Sequence, residues 1–159
     1  MKIISHRGNL EGPKSAIENS PEAIEFAISQ GFECEIDLWS TAKEQFFLGH
    51  DSAEYLVGLD WILEKSNRLW IHCKNFSALS HLLSIRMDLN FFWHQEDDHV
   101  LTSKSYIWSY PGRKVDRNSI GVLPENWEES QLADLNSCFG VCTDFPRKFD
   151  LELNGSTLR

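Results

Sequence analysis

GFECEIDLWSTAKEQFFLGHD, residues 31–51, sets charged groups where a strand pattern otherwise calls for core. Read as a strand over 33–39, it puts Glu35 and Asp37 on one face and Cys34, Ile36 and Leu38 on the other. Two carboxylates on one face repel each other, so unless that face is open solvent the pair calls for a cation. Oxygen ligands at this spacing suit Mg²⁺ or Ca²⁺ better than a soft metal. The bland alternative is a half-buried strand with a polar outer face. Past a polar turn around Thr41 to Glu44, Phe46-Phe47-Leu48 forms a second extended piece running into Gly49-His50-Asp51. Pairing of the two pieces would carry His50 back towards Glu35 and Asp37.

Upstream, KIIS at 2–5 reads as a short strand ending at His6-Arg7-Gly8, and Gly8 permits a tight turn. Ser20 is placed to cap a helix and Pro21 to occupy its first position; Ala23, Ile24, Ala27 and Ile28 recur at helical spacing until Gly31 closes it. Downstream, 55–65 reads as a short helix and 70–74 as a strand with His72 and Lys74 on one face. A helix over 78–86 follows, capped by Ser77, and then a strand over 89–93 ending at His94. The second half is less regular: strands are expected over 106–110, 120–123 and 139–143, with Asn126 opening a helix that runs to about residue 136. The gaps 95–105 and 111–119 are too short, and too polar or broken by Pro and Gly, for crossover helices. This alternation predicts an α/β chain. A full eightfold barrel needs about 250 residues. At 159 residues the expectation is a reduced TIM-like (β/α) barrel, several crossover helices shortened or missing, folded as one domain over 1–159. An incomplete βα sheet is the alternative.

The formal charge of −9 argues against nucleic acid or an anionic membrane as a surface-wide partner. It leaves room for a phosphate substrate, because a metal and a few cations can reverse the potential inside a cleft. The opening MKIISHRGN is too poor in apolar residues for an export signal, and no apolar run is long enough to span a bilayer. A cytoplasmic protein without stable membrane insertion is expected. Cys34, Cys73, Cys138 and Cys142 sit in or beside apolar segments without a CxxC pair, and read as reduced core residues.

His6, Arg7, Glu35, Asp37, His50, Asp51, His72, Lys74 and His94 all lie at or near expected strand ends. In a barrel such positions converge on one rim despite wide separation in sequence. HRG at 6–8, ENSPEAI at 18–24, EID at 35–37 and HD at 50–51 resemble the glycerophosphodiester phosphodiesterase family, a set of metal-dependent TIM barrels. WIHCKN at 70–75 and GVCTDFP at 140–146 are similar to later blocks of that family. The resemblance implies that His6 and His50 form an acid/base pair, that Glu35 and Asp37 ligate a divalent ion, that Arg7 assists the phosphate and that Lys74 lies near the bound anion. It also implies Mg²⁺ or Ca²⁺ as cofactor. The family's usual third metal-binding carboxylate is His72 in this chain. Imidazole is a poorer match to those ions, so Mn²⁺ or Zn²⁺ enters as an alternative. His72 is read as a metal ligand, with a substrate-binding role or a plain strand histidine as alternatives.

Cleaving a phosphodiester requires charge neutralisation on the nonbridging oxygens, an aligned nucleophile and a protonated leaving oxygen. Two histidines titrating near neutrality can begin in opposite protonation states. The expected activity is metal-dependent hydrolysis of a small glycerophosphodiester-like substrate; the alternative is a non-catalytic phosphate-binding module. His94 is a substrate-binding candidate or a loop residue in an acidic run. Trp93, Trp108 and Tyr110 are wall or core; Asp51 is read as turn chemistry and Asp144 as strand capping, with a site role as the alternative for each. Missing helices would expose apolar barrel surface, from which a homodimer is expected.

Overall fold

The structure is a computed structural model that describes residues 1–41, 45–85 and 87–155. Its first strand, β1 (Lys2–His6), lies in the middle of a ten-stranded sheet. In chain order the other strands are β2 (Glu33–Ser40), β3 (Phe46–Leu48), β4 (Tyr55–Val57), β5 (Leu69–Cys73) and β6 (Phe91–Phe92). They are followed by β7 (His99–Leu101), β8 (Ile107–Ser109), β9 (Ser119–Val122) and β10 (Gly140–Thr143). A parallel run passes through β8, β9, β10, β1, β2, β5 and β6. The sheet curls so that its two ends approach: Ser103 N–H donates to the Phe91 carbonyl at 2.8 Å, and its hydroxyl accepts from Phe91 N–H at 2.9 Å. This is a reduced TIM-like barrel.

Strand alternation sorts the residues into two cores. Ile4, Trp70, Phe92, Trp108, Ile120, Val122 and Cys142 fill the interior. Cys34, Ile36 and Leu38 point outward against α1 (Pro21–Ser29), α2 (Leu59–Glu64) and α3 (Phe76–Ile85), meeting Ile24, Ala27, Ile62 and Leu82. A third cluster, Val115, Trp127, Leu135, Cys138 and Val141, lies where two 3₁₀ segments (Pro124–Asn126 and Glu129–Ser137) and α4 (Pro146–Gly155) replace regular crossover helices. Between β6 and β8 the chain makes an antiparallel strand, β7, where a crossover helix would stand. All four cysteines are buried and free. Among the described residues, no helix is long and apolar enough to cross a membrane.

Several local expectations change. Tyr55–Val57 is a strand and not the start of a helix, because Phe47 and Leu48 offer it a pairing edge; the helix begins only after Gly58. Asn75, not Ser77, caps α3, its side-chain oxygen accepting from Ala78 N–H at 2.9 Å. Asn126 opens no helix. It ends a 3₁₀ turn, and Glu128 and Gln131 cap the next segment reciprocally. The strand expected over 89–93 shortens to Phe91–Phe92. Neither β7 nor α4 was legible in the sequence. Ala42, Lys43, Glu44 and Arg86, to which part of the turn and the end of the 78–86 helix were assigned, lie outside the described residues.

Candidate active site

The C-terminal ends of the parallel strands deliver the expected polar residues to one end of the barrel. Glu35 and Asp37 on β2 face its interior and are buried, which removes the reading of a solvated outer face. His6 leaves β1 beside them, His72 and Lys74 come from β5, and His94 follows β6. With His50, Arg7 and Glu35 these side chains line a cavity of about 430 Å³ whose other wall includes Trp93, Trp108, Tyr110 and Val122. Asp37 lies beneath the lining, fully buried. A larger groove of about 990 Å³ against α4 is lined by Trp127, Leu135 and Phe149, but has neither a histidine nor the paired carboxylates.

Asp37 is the electrostatic centre. Arg7 Nε is 3.0 Å from its Oδ2, and His72 Nδ1 and Lys74 Nζ are 3.0 and 3.3 Å from its Oδ1. Burial works against the charged carboxylate, but His72, Arg7 and Lys74 together hold its pKa well below the usual range. Asn19 fixes its orientation: the side-chain amide donates to Oδ2 at 2.9 Å, and its oxygen accepts from Asp37 N–H at 2.9 Å. Asn19 reaches this position with φ of 61°, a left-handed conformation that asparagine tolerates better than most residues. Arg7, at φ 56°, is similarly turned, and Glu18 holds its guanidinium from the other side at 3.1 Å. Gly8 makes this bend possible, because a Cβ there would sit 2.9 Å from the backbone of Ala23 in α1.

Glu35 is the less satisfied carboxylate. Its nearest cationic partners, His6 Nε2 and His72 Nδ1, are both 3.9 Å away, and Oε2 is buried without a hydrogen-bond partner. Burial, followed by the charge of Asp37, raises its pKa. Asp37 Oδ1 also lacks an aligned donor despite its close cations. One ligand atom from each of Glu35, Asp37 and His72 lies within 4.8 Å of the others. This cluster of two carboxylates and an imidazole, with one buried unpartnered oxygen on each carboxylate, fits a divalent ion.

His6 is held by Asp144 at the end of the neighbouring strand β10, with Nδ1 2.8 Å from Oδ1, and Asn9 donates to the same oxygen at 2.9 Å. Burial opposes the imidazolium, yet the Asp144 contact and the charge of Glu35 outweigh it and raise the His6 pKa. Asp144, opposed by burial but bonded to His6, is lowered. His50 is more open. It pairs with exposed Asp51, Nδ1 to Oδ1 2.7 Å, and the backbone bond from Gly49 N–H to the Asp37 carbonyl brings it over the carboxylates. His94 stacks on His72 with ring centroids 4.4 Å apart and bonds to the Tyr110 hydroxyl. Burial, then neighbouring His72, pushes its pKa down to about 4, leaving a neutral ring at physiological pH.

The structure thus gathers eight of the nine residues singled out from the sequence, His6, Arg7, Glu35, Asp37, His50, His72, Lys74 and His94, while Asp51 is exposed and pairs with His50 from outside the cavity lining. Sequence reasoning gave no site role to Asn9, nor to Glu18 and Asn19, which entered only within ENSPEAI at 18–24. It treated Asp144 as strand capping. The position of Asp144 at a strand exit was the available signal for its contact with His6; for Asn19 the decisive left-handed backbone leaves no local mark in the sequence.

No family model matches the chain, and no curated protein does. Solved structures do. A glycerophosphodiester phosphodiesterase from Parabacteroides distasonis superposes with a TM-score of 0.53 at 11% identity, covering 98% of this chain and 98% of that one. A provisional glycerophosphodiester phosphodiesterase from Galdieria sulphuraria follows at a TM-score of 0.47 and 10% identity, covering 96% and 97% of the two chains. At such identity the first likeness establishes the fold: this chain has the barrel architecture of a known glycerophosphodiester phosphodiesterase.

Proposed function

We propose that the chain is a shortened, diverged member of the glycerophosphodiester phosphodiesterase family, a single-domain phosphoric diester hydrolase that acts with a divalent ion on a small glycerophosphodiester-like substrate. The observation that carries this reading is the joint lining of one cavity by His6, His50, Arg7, Lys74 and the Glu35/His72 pair, with Asp37 directly beneath. Glu35, Asp37 and His72 would hold the ion, which when bound supplies positive charge to the nonbridging phosphate oxygens. Arg7 and Lys74 orient the phosphate and add to that neutralisation. One histidine takes the proton of the attacking hydroxyl, from water or from a neighbouring substrate hydroxyl, as the new O–P bond forms. The other gives its proton to the departing alcohol oxygen as the old P–O bond breaks. If a substrate hydroxyl attacks first, the product is a cyclic phosphate that water then opens. His94, kept neutral, is the further substrate-binding residue, lining the cavity beside His72 with its ring nitrogens against the Tyr110 hydroxyl.

Turnover of glycerophosphocholine in a screen of Mg²⁺, Ca²⁺, Mn²⁺ and Zn²⁺ tests the proposal. Substituting His6→Ala or His50→Ala is expected to abolish it, and normal turnover in both variants would sink it. A second reading, a phosphate-binding module without turnover, is favoured by the crowd of internal cations around Asp37, which compete with an added ion. It expects phosphate binding by calorimetry with no product under any metal. The exposed Leu83, Met87 and Leu101 motivate a homodimer, to be tested by light scattering across a concentration series.

A further inference from the structure

The carboxylate-bearing face of β2 does not end at Asp37. The strand continues past its pairing with β5 to Ser40, and alternation puts Trp39 on the same face as Glu35 and Asp37. There β2 leaves the barrel and pairs with β3, and β3 with β4. The register sets Trp39 opposite Phe47, and Phe47 opposite Leu56. Directly paired residues project to the same side of a sheet. The three side chains therefore form one apolar row across three strands, about 10 Å long at ordinary strand spacing. Trp39 and Phe47 are only partly buried, and Leu56 is 62% exposed. The opposite face of the same ribbon, Phe46, Leu48 and Val57, is buried in the core, so the hairpin already has its hydrophobic anchor without this row.

The row begins beside the site, next to the cavity lining at His50 and not within it. The Trp39 indole N–H donates to the Gly49 carbonyl at 2.6 Å, directly before His50, and Gly49 N–H is bonded to the Asp37 carbonyl. None of its three members carries charge, whereas the cavity beneath is lined by histidines, Arg7, Lys74 and Glu35. A ligand spanning both would have a phosphate at one end and an alkyl chain at the other. The geometry points to Trp39, Phe47 and Leu56 as a subsite for an alkyl or acyl chain carried by one alcohol group of the phosphodiester, making the preferred substrate amphiphilic rather than a fully water-soluble diester. This inference rests on the phosphodiesterase reading for its turnover arm and on phosphate binding alone for its affinity arm.

The turnover arm compares glycerophosphocholine with its 1-octanoyl ester, kept below micelle formation, using the wild-type chain and the double variant Phe47→Thr/Leu56→Ser. Threonine keeps a strand-favouring residue at 47, and Leu56 is exposed, so the ribbon has little reason to unfold. The expected wild-type preference in kcat/KM for the ester is about tenfold, the scale of a few methylenes removed from water. The double variant should bring the ratio close to one with glycerophosphocholine turnover unchanged. Equal kcat/KM for both substrates, or a preference that survives the double substitution, overturns the subsite. A preference that arises only above micelle formation or on phosphatidylcholine vesicles also overturns it, since it would identify a surface-binding face. The affinity arm compares octyl phosphate with methyl phosphate by calorimetry. If neither diester is cleaved, the phosphodiesterase reading fails, while tighter octyl phosphate binding that the double variant abolishes still supports the subsite, and equal affinity refutes it.

Discussion

Asn19→Ala gives the sharpest stability test of how the site is built. The substitution removes the amide that donates to Asp37 Oδ2 and the oxygen that accepts from Asp37 N–H, both at 2.9 Å and both buried. Leaving buried groups without these partners costs about 1–3 kcal/mol each. Alanine must also hold the φ of 61°, which adds about 1 kcal/mol relative to a residue that tolerates it. Arg7 remains against Oδ2 and offsets part of the loss, so the expected destabilisation is about 3–5 kcal/mol, a large share of the stability of an ordinary domain. Urea unfolding at neutral pH with a chelator present measures it without interference from a bound ion. Asn19→Gly separates the two contributions, because glycine accepts the backbone conformation and loses only the side-chain bonds; it should be about 1 kcal/mol more stable than Asn19→Ala. A loss under about 1 kcal/mol in Asn19→Ala, or equal stability of the two variants, would refute the clamp.

The His6–Asp144 pair predicts a defined pH window. Asp144, lowered in the fold, contributes stability that is present above its ordinary titration range and fades as pH falls through its folded pKa; His6, raised, contributes stability that is complete below its ordinary range and fades as pH rises through its folded pKa. Urea unfolding across pH should therefore show the largest deficit of Asp144→Asn in mildly acidic solution, narrowing towards alkaline pH; a deficit independent of pH contradicts the pairing. Added Mn²⁺ should raise the melting temperature of the wild-type chain in a thermal shift assay, and Glu35→Gln, which removes the carboxylate with the orphaned oxygen, should abolish most of that rise. An undiminished shift would place the ion elsewhere. His72→Asp restores a carboxylate to the cluster, and calorimetry should show the metal preference moving from Mn²⁺ or Zn²⁺ towards Mg²⁺ or Ca²⁺.

Much of the frame was legible because it depends on local patterns. The helix at Pro21–Ser29 starts where Ser20 caps and Pro21 fits, and its Ser20 hydroxyl does accept from Ala23 N–H. The two-residue period of 33–39 placed both carboxylates on one face without any knowledge of what lay opposite. Length alone argued for a reduced barrel. The errors fall where another segment competes: Tyr55–Val57 has a helix-compatible sequence but becomes a strand because Phe46–Leu48 lies alongside it. The 3₁₀ segments and the inverted strand β7 likewise answer to packing that no local pattern encodes.

What the sequence by itself determined was the set of chemical groups and the face of the strand on which each stands, because residue type and backbone period are local properties. Only the tertiary structure decided which groups meet. Residues 6 and 144, at opposite ends of the chain, become partners because β1 and β10 pair in parallel, and His72 comes to Asp37 because register sets those two residues side by side on β5 and β2. Burial then changes the meaning of each charge: Asp37 is stabilised by surrounding cations, while Glu35, two residues away on the same face, is left with an unsatisfied oxygen. That difference arises from distance and desolvation, which are properties of the folded chain and not of the order of its residues.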